Sequence, residues 1–239
     1  VSMLNHENWA KKQWPAHVFF DARHQQRVLK IALAMLKQPS ASIPGRFDVQ
    51  KEVKGCYRLL DNKMVNHTLL QKEHYKNVLE EAASSYCRVA FFQDGSELLY
   101  NNLNWTDLGP TSDSNGNGIM FHSCLAVKLD SLYPQVIGLA GQKAWIRNRI
   151  HDKKHSKAEE ERESRVWQEL TDRIGPVPKG CKWIVVGDRG SDIFSYLGSL
   201  PEGLDCILRS KHDRKILVNN QQRKLKEYMQ QLPSMGTTV

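Results

Sequence analysis

No stretch of this chain approaches the ~20 consecutive apolar residues that a membrane-crossing helix needs. Its opening residues scatter their apolar side chains among Glu7, Lys11 and Lys12 instead of gathering them into a signal-type run. A helical membrane protein is therefore excluded as a reading of these residues. Paired cysteines are missing too: Cys56, Cys87, Cys124, Cys181 and Cys206 are odd in number, and none stands in a C-x-x-C pair. That argues against a zinc ribbon or a disulfide framework and for reduced thiols in the cytosol. No internal repeat is apparent, so a solenoid is excluded. Acidic residues are in deficit, 26 against 34 Lys and Arg, and the net charge of +8 suits a polyanionic partner. What is present is ordinary for a globular protein: 40% apolar and 25% charged residues over 239 positions. That length can hold one large domain or a small one plus a medium one.

The excess charge sits at the two ends. From Arg209 to Tyr228 there are seven Lys or Arg (209, 211, 214, 215, 223, 224 and 226) against Asp213 and Glu227. Near the start, Asp21 is a candidate N-cap for a helix running to Gln38, where Pro39 ends it. Val28, Ile31, Ala32, Met35 and Leu36 make its apolar face, and Arg23, Arg27, Lys30 and Lys37 make a basic stripe on the other. A basic face of that kind can lie along a phosphate backbone, although amphipathic surface helices often carry one without any ligand. Lys51–Leu60 and Asn66 to about Ser84 read as two further helices, so residues 1–82 form an all-helical domain.

After residue 85 the periodicity shortens. Arg88–Asp94, Met120–Leu129, Gln135–Gly141, Lys182–Asp188 and Leu204–Arg209 read as strands, rich in Val, Ile, Phe and Leu. Asp113–Gly118 is a turn-rich loop, and a highly charged stretch covers His151–Arg165. A helix with Val166, Trp167, Leu170 and Ile174 follows, with Trp167 expected in the core. Further helices are expected over Ser191–Leu200 and Lys224–Leu232, the latter open to the alternative of a frayed tail. Two apolar strands close on a carboxylate: Val89-Ala-Phe-Phe-Gln93 on Asp94, and Trp183-Ile-Val-Val-Gly187 on Asp188. One strand-terminal Asp is most simply a cap. Two in matching contexts suggest an oxygen site for a divalent metal at the edge of an α/β sheet. Asp192, one turn beyond Asp188, is the competing ligand, with N-capping as its simpler role. Glu97 is expected to face solvent.

The stretches Asp94-Gly-Ser-Glu-Leu-Leu-Tyr100 and Val186-Gly-Asp-Arg-Gly-Ser-Asp-Ile-Phe-Ser-Tyr196 resemble the catalytic core of bacterial DDE transposases. The likeness is to the insertion-sequence-four family and its transposon-five-like branch. It extends to Asp21–Arg27, Gly55-Cys-Tyr-Arg58, Glu163–Trp167 and Arg209-Ser-Lys-His212. The element order, three strands, helix, strand, helix, strand, is that of a ribonuclease-H-like α/β fold, assigned to residues 83–239. In that fold the first and fourth strands lie side by side.

The resemblance implies that Asp94 and Asp188 are catalytic ligands of Mg²⁺ or Mn²⁺ for two-metal phosphoryl transfer on DNA. It implies DNA contacts from Arg23, Arg27, Lys30 and Arg58 in the helical domain. Arg209, Lys211, His212 and Arg214 would contact DNA beside the metal site. Implied partners are double-stranded DNA, as terminal inverted repeats and target, and a second subunit in the complete protein. A bacterial, cytoplasmic, nucleoid-associated location is implied, with no membrane. The family's third carboxylate lies in a Tyr-x-x-Arg-x-x-x-Glu-x-x-x-x-x-x-Lys helix that these residues do not contain. The expectation is thus a C-terminally truncated transposase, inactive by itself. Two other readings stay open: a product that occupies transposon ends without cutting them, and an unrelated Mg²⁺-dependent phosphohydrolase of small molecules.

Overall fold

The computed structural model describes residues 3–84, 88–100, 105, 107–112, 116–130, 132–147 and 163–233. Cys87, residues 113–115 of the turn-rich loop and most of the charged stretch lie outside them. The chain divides into two compact units. One holds Val1–Val89, Cys124–Gln142 and Pro178–Cys181, and the other Ala90–Ser123, Lys143–Val177 and Lys182–Val239.

In the first unit, helices α1 (Met3–Gln13), α2 (Ala22–Lys37), α3 (Gln50–Leu60) and α4 (His67–Ala82) follow one another. Asp21 caps α2 by accepting from the Arg23 amide, and Asn66 caps α4 by accepting from that of Leu69. Helix α3 buries Val53, Cys56 and Leu59, a three-residue recurrence that gives it one apolar face. Phe19, Val28, Leu59 and Val65 form the core, with Trp14, Ile31, Leu69 and Leu70 packed against it. The Trp14 indole also donates to the Leu70 carbonyl at 2.8 Å. Met35 and Leu36, expected on the inner face of α2, are exposed, because burial along the helix reaches Val28, Ile31 and Ala32 and stops there. His74 of α4 takes the amide of Leu139 on Nε2 and reaches Gln13 through Nδ1. Neighbouring Gly138 has φ +155, and a Cβ there would stand 2.8 Å from Val78.

The second unit carries most of a mixed sheet. Its strands are β1 (Arg88–Leu99), β2 (Gly109–Pro110), β3 (Asn117–Lys128), β4 (Gln135–Trp145), β5 (Lys182–Gly187) and β6 (Leu204–Leu208). The order is β2-β3-β1-β5-β6, with β4 also on β3, so β1 and β5 are neighbours. Strands β2 and β3 run antiparallel, while β5 and β6 run parallel with Val185 opposite Cys206. Helix α5 (Val166–Ile174) buries Val166, Trp167, Leu170, Thr171 and Ile174, and ends at Gly175 with φ +79. Trp167 is in the core, with Val166 and Tyr196.

Two expectations change, the helix expected over Lys224–Leu232 is present, and a hairpin before it was not foreseen. Strand β1 does not end at Asp94. It continues to Leu99 because β3 goes on pairing with it, as the Tyr100 amide donating to Asn117 shows. The helix expected over Ser191–Leu200 is a 3-10 turn (Arg189–Ser191) and a short helix α6 (Phe194–Gly198). Asp188 folds that turn by accepting from the Gly190 amide. Beyond β6, the hairpin β7 (Lys215–Val218) and β8 (Gln221–Lys224) precedes α7 (Leu225–Gln231). Asn219 and Asn220, at φ +50 and +63, make the two-residue turn that matches strand twist.

Candidate functional site

Asp94 and Asp188 come from neighbouring strands and are both exposed. Each spends one oxygen on the backbone just after it. Asp94 Oδ1 accepts from the Gly95 amide at 2.9 Å, and Asp188 Oδ1 from that of Gly190 at 2.8 Å. The second oxygen of each has no hydrogen-bond partner among the described residues.

Beneath β1 lies a buried polar chain. Gln93 alternates with Asp94 along the strand and so turns to the other face. Its amide nitrogen donates to Thr171 Oγ1 at 2.9 Å, and its oxygen meets His122 Nε2 at 3.3 Å. Thr171 Oγ1 lies 2.9 Å from the Tyr196 hydroxyl. The His122 ring packs edge-on against Trp167, centroids 4.3 Å apart. Burial pushes the His122 imidazole down to about 4, although the Asp94 and Asp188 charges both pull it up. The ring is therefore neutral at pH 7, and both carboxylates lie within electrostatic reach of it. Gly187 is needed here, since a Cβ would fall 2.6 Å from Ser191 Oγ and 3.0 Å from Trp167. Sequence reasoning missed Gln93, His122 and Thr171. The available signal was a polar residue set within an otherwise apolar strand or helix face.

Asp192 has no room for a metal. Its Oδ2 accepts from the Lys211 and His212 amides at 2.7 and 2.8 Å, and its Oδ1 takes Arg214 through Nε and Nη2. Burial works against its charge, but the bonds from His212, Arg214 and Lys211 outweigh that and hold it down to about 2. Asp192 thus shapes the basic turn. Arg214 is committed to it and lies 5.8 Å from the Phe194 ring, while Arg209, Lys211 and His212 remain exposed. Glu97, expected in solvent, is half-buried: it accepts from the Ser112 amide and pairs with Arg147 at 3.5 Å. Among the described residues no three His, Cys, Asp or Glu side chains are grouped to hold a metal ion. Two carboxylates with free oxygens are the hard donors that Mg²⁺ or Mn²⁺ takes, and they fit as part of a ligand set that water or further oxygens must fill.

In the helical unit the basic stripe is partly neutralised. Arg23 is bound to its own cap, Asp21, at 2.7 Å. Arg27 pairs with Glu52, which also takes Lys30 at 3.4 Å. The Arg27 guanidinium rests on Gly55, where a Cβ would come within 2.6 Å of Cζ. Arg58 is exposed and engages no partner among the described residues.

A helical unit with basic faces thus precedes a mixed sheet bearing two exposed carboxylates. Residues 6–65, covering α1 to α3, match the family model described as transposase DNA-binding. The chain carries a transposase DNA-binding domain, and DNA is a partner of it. A comparison with curated proteins finds no match. No helix among the described residues is long and apolar enough to cross a membrane.

Proposed function

We propose that this chain is the DNA-binding and carboxylate-bearing part of a bacterial, cytoplasmic DDE transposase of the insertion-sequence-four type, transposon-five-like branch, with a ribonuclease-H-like core. The observation that carries the reading is Asp94 on β1 and Asp188 just past the end of the neighbouring β5, downstream of a transposase DNA-binding domain. The strand order β4-β3-β1-β5-β6 also supports it. Arg23, Arg27, Lys30 and Arg58 hold transposon-end DNA. Arg209, Lys211 and His212 hold a backbone beside the carboxylates, on a turn that Asp192 and Arg214 keep in shape. Mg²⁺ or Mn²⁺ bound by Asp94 and Asp188 would supply charge neutralisation for attack on a phosphodiester. A third carboxylate and a second subunit would complete such a site.

The test has two arms. In mobility shifts on duplexes selected for binding, Arg58→Ala should weaken binding and flatten the log-log salt dependence by about one unit. In Mn²⁺ titrations followed by electron paramagnetic resonance, Asp94→Asn and Asp188→Asn should each abolish specific binding of the ion. Parental behaviour in both arms would overturn the reading. A second reading, a product that occupies transposon ends without cutting them, is favoured by the lack of a third ligand among the described residues. It requires DNA binding to survive where cleavage never appears.

A further inference from the structure

The hairpin β7–β8 sets Lys215 directly opposite Lys224. Like charges facing each other across an antiparallel pair are destabilising unless something of opposite sign lies near them. Among the described residues neither lysine has an ion pair. Of the seven Lys and Arg between Arg209 and Tyr228, Arg214 alone has an ion pair among the described residues, with Asp192. The acids of the segment are used or outnumbered: Asp213 Oδ1 accepts from the Lys226 amide at the start of α7, leaving Glu227 among the cations. Among the described residues Lys224 reaches the Asp213 carbonyl alone, at 3.3 Å, and Arg223 the Gln231 side chain alone, at 3.0 Å.

These groups line one open groove. Lys215, Gln222, Arg223, Lys224, Glu227 and Gln231 bound a space of about 570 Å³ between the hairpin and α7. Every residue of β8 is exposed. The module is fastened to the basic turn, since the Leu225 amide donates to the Arg214 carbonyl at 2.9 Å and Arg214 is clamped by Asp192. Cations on a braced hairpin, outnumbering the one carboxylate (Glu227) that lines the groove with them, form a surface suited to an anion that arrives from outside. The chain already carries a DNA-binding domain in residues 6–65, so the polyanion in its vicinity is DNA.

We infer that β7–β8 and α7 form a second DNA contact, in which Lys215, Arg223 and Lys224 take phosphates of a duplex backbone without reading its bases. The inference rests on the proposed function and extends its DNA interface beyond the turn at Arg209–Arg214. Phosphate contacts fix register and supply affinity, while base edges supply sequence preference. This module therefore adds affinity for any duplex, and the helical domain supplies the preference.

The experiment uses the whole chain. A Lys215→Gln, Arg223→Gln, Lys224→Gln variant is compared with the parent, with Arg58→Ala, and with a charge-matched control, Lys72→Gln, Lys179→Gln, Lys182→Gln. Binding to a selected duplex and to a scrambled one of equal length is measured across a salt series. The hairpin variant should lose affinity equally on both duplexes, roughly 10- to 100-fold near 0.1 M salt, with a slope shallower by about two to three units. The charge-matched control should keep the parental slope. Circular dichroism melts establish that each variant is folded. If Arg58→Ala weakens binding while the hairpin variant matches the parent, the inference fails and the proposed function stands. If neither matters, both fail. An equal loss in the charge-matched control, or loss of binding to phosphatidylglycerol vesicles with DNA binding unchanged, also overturns the inference.

Discussion

Thr171 is fully buried, and its hydroxyl bridges Gln93 to Tyr196. Replacing it with Val keeps the shape and removes the bridge, leaving the buried Gln93 amide N–H without that acceptor. Such an orphan costs about 1–3 kcal/mol, so Thr171→Val should lower unfolding free energy by that much in urea titrations. A loss below ~0.5 kcal/mol would mean the chain of bonds carries no weight. His122 makes the same network sensitive to pH. Its folded value of about 4 lies below the ordinary 6.5, so the unfolded chain takes up the proton first as pH falls. Its contribution is complete above 6.5 and is lost as pH drops towards 4. Stability measured between those values should fall less steeply in His122→Gln than in the parent. Asp192 teaches a different lesson at this scale: the sequence offered N-capping as its simpler role and a metal as the competing one, and its hydrogen bonds to the turn at Lys211–Arg214 give it a third.

At the scale of elements, α3 shows how one glycine can set a charge. Ala would suit an exposed helix position better than Gly by about 0.8–1.0 kcal/mol. Gly55 keeps the space that the Arg27 guanidinium fills, and Arg27 in turn holds Glu52. Gly55→Ala should leave thermal stability nearly unchanged, because helix propensity offsets the loss of a solvent-screened ion pair. It should nonetheless weaken DNA binding as much as Arg27→Ala does, if Arg27 acts from this seat. Parallel melts and mobility shifts would show the two effects separating, and parental DNA affinity in Gly55→Ala would remove Arg27 from the interface. The helices were legible because Asp21 and Asn66 cap them and their apolar residues recur at helical spacing. The hairpin β7–β8 was not, although Asn219-Asn220 between two short strands was a usable turn signal. Strand β1 overran its expected end for a non-local reason. Its pairing with β3 decides where it stops, and the apolar run ends several residues earlier.

For the whole molecule, the legible part of the site was its two carboxylates and the basic turn. The part that sequence could not supply was their surroundings: the neutral His122, the Gln93–Thr171 bond and the clamp on Arg214 join residues far apart along the chain. Chemistry on DNA needs more than the pair. Asp94 and Asp188 each offer one free oxygen, and among the described residues no third acidic or imidazole ligand is grouped with them. Two metal ions bridging an attacked phosphodiester need additional hard ligands fixed in place. With these two carboxylates as its only acidic ligands for the ion, the 239-residue chain should bind duplex DNA and weakly bind Mn²⁺ without nicking at a useful rate. Joining after Val239 a segment with the Tyr-x-x-Arg-x-x-x-Glu helix should produce Mn²⁺-dependent nicks at the end of a labelled transposon-end duplex. In that extended chain, Asp94→Asn or Asp188→Asn should abolish the nicks and leave the mobility shift intact, since neither residue belongs to the basic surfaces. Asp192→Asn should act differently, loosening the turn that carries Lys211 and His212 and so weakening DNA binding along with cleavage. Robust nicking by the 239-residue chain, or undiminished nicking by either Asn variant of the extended one, would remove these two carboxylates from the reaction.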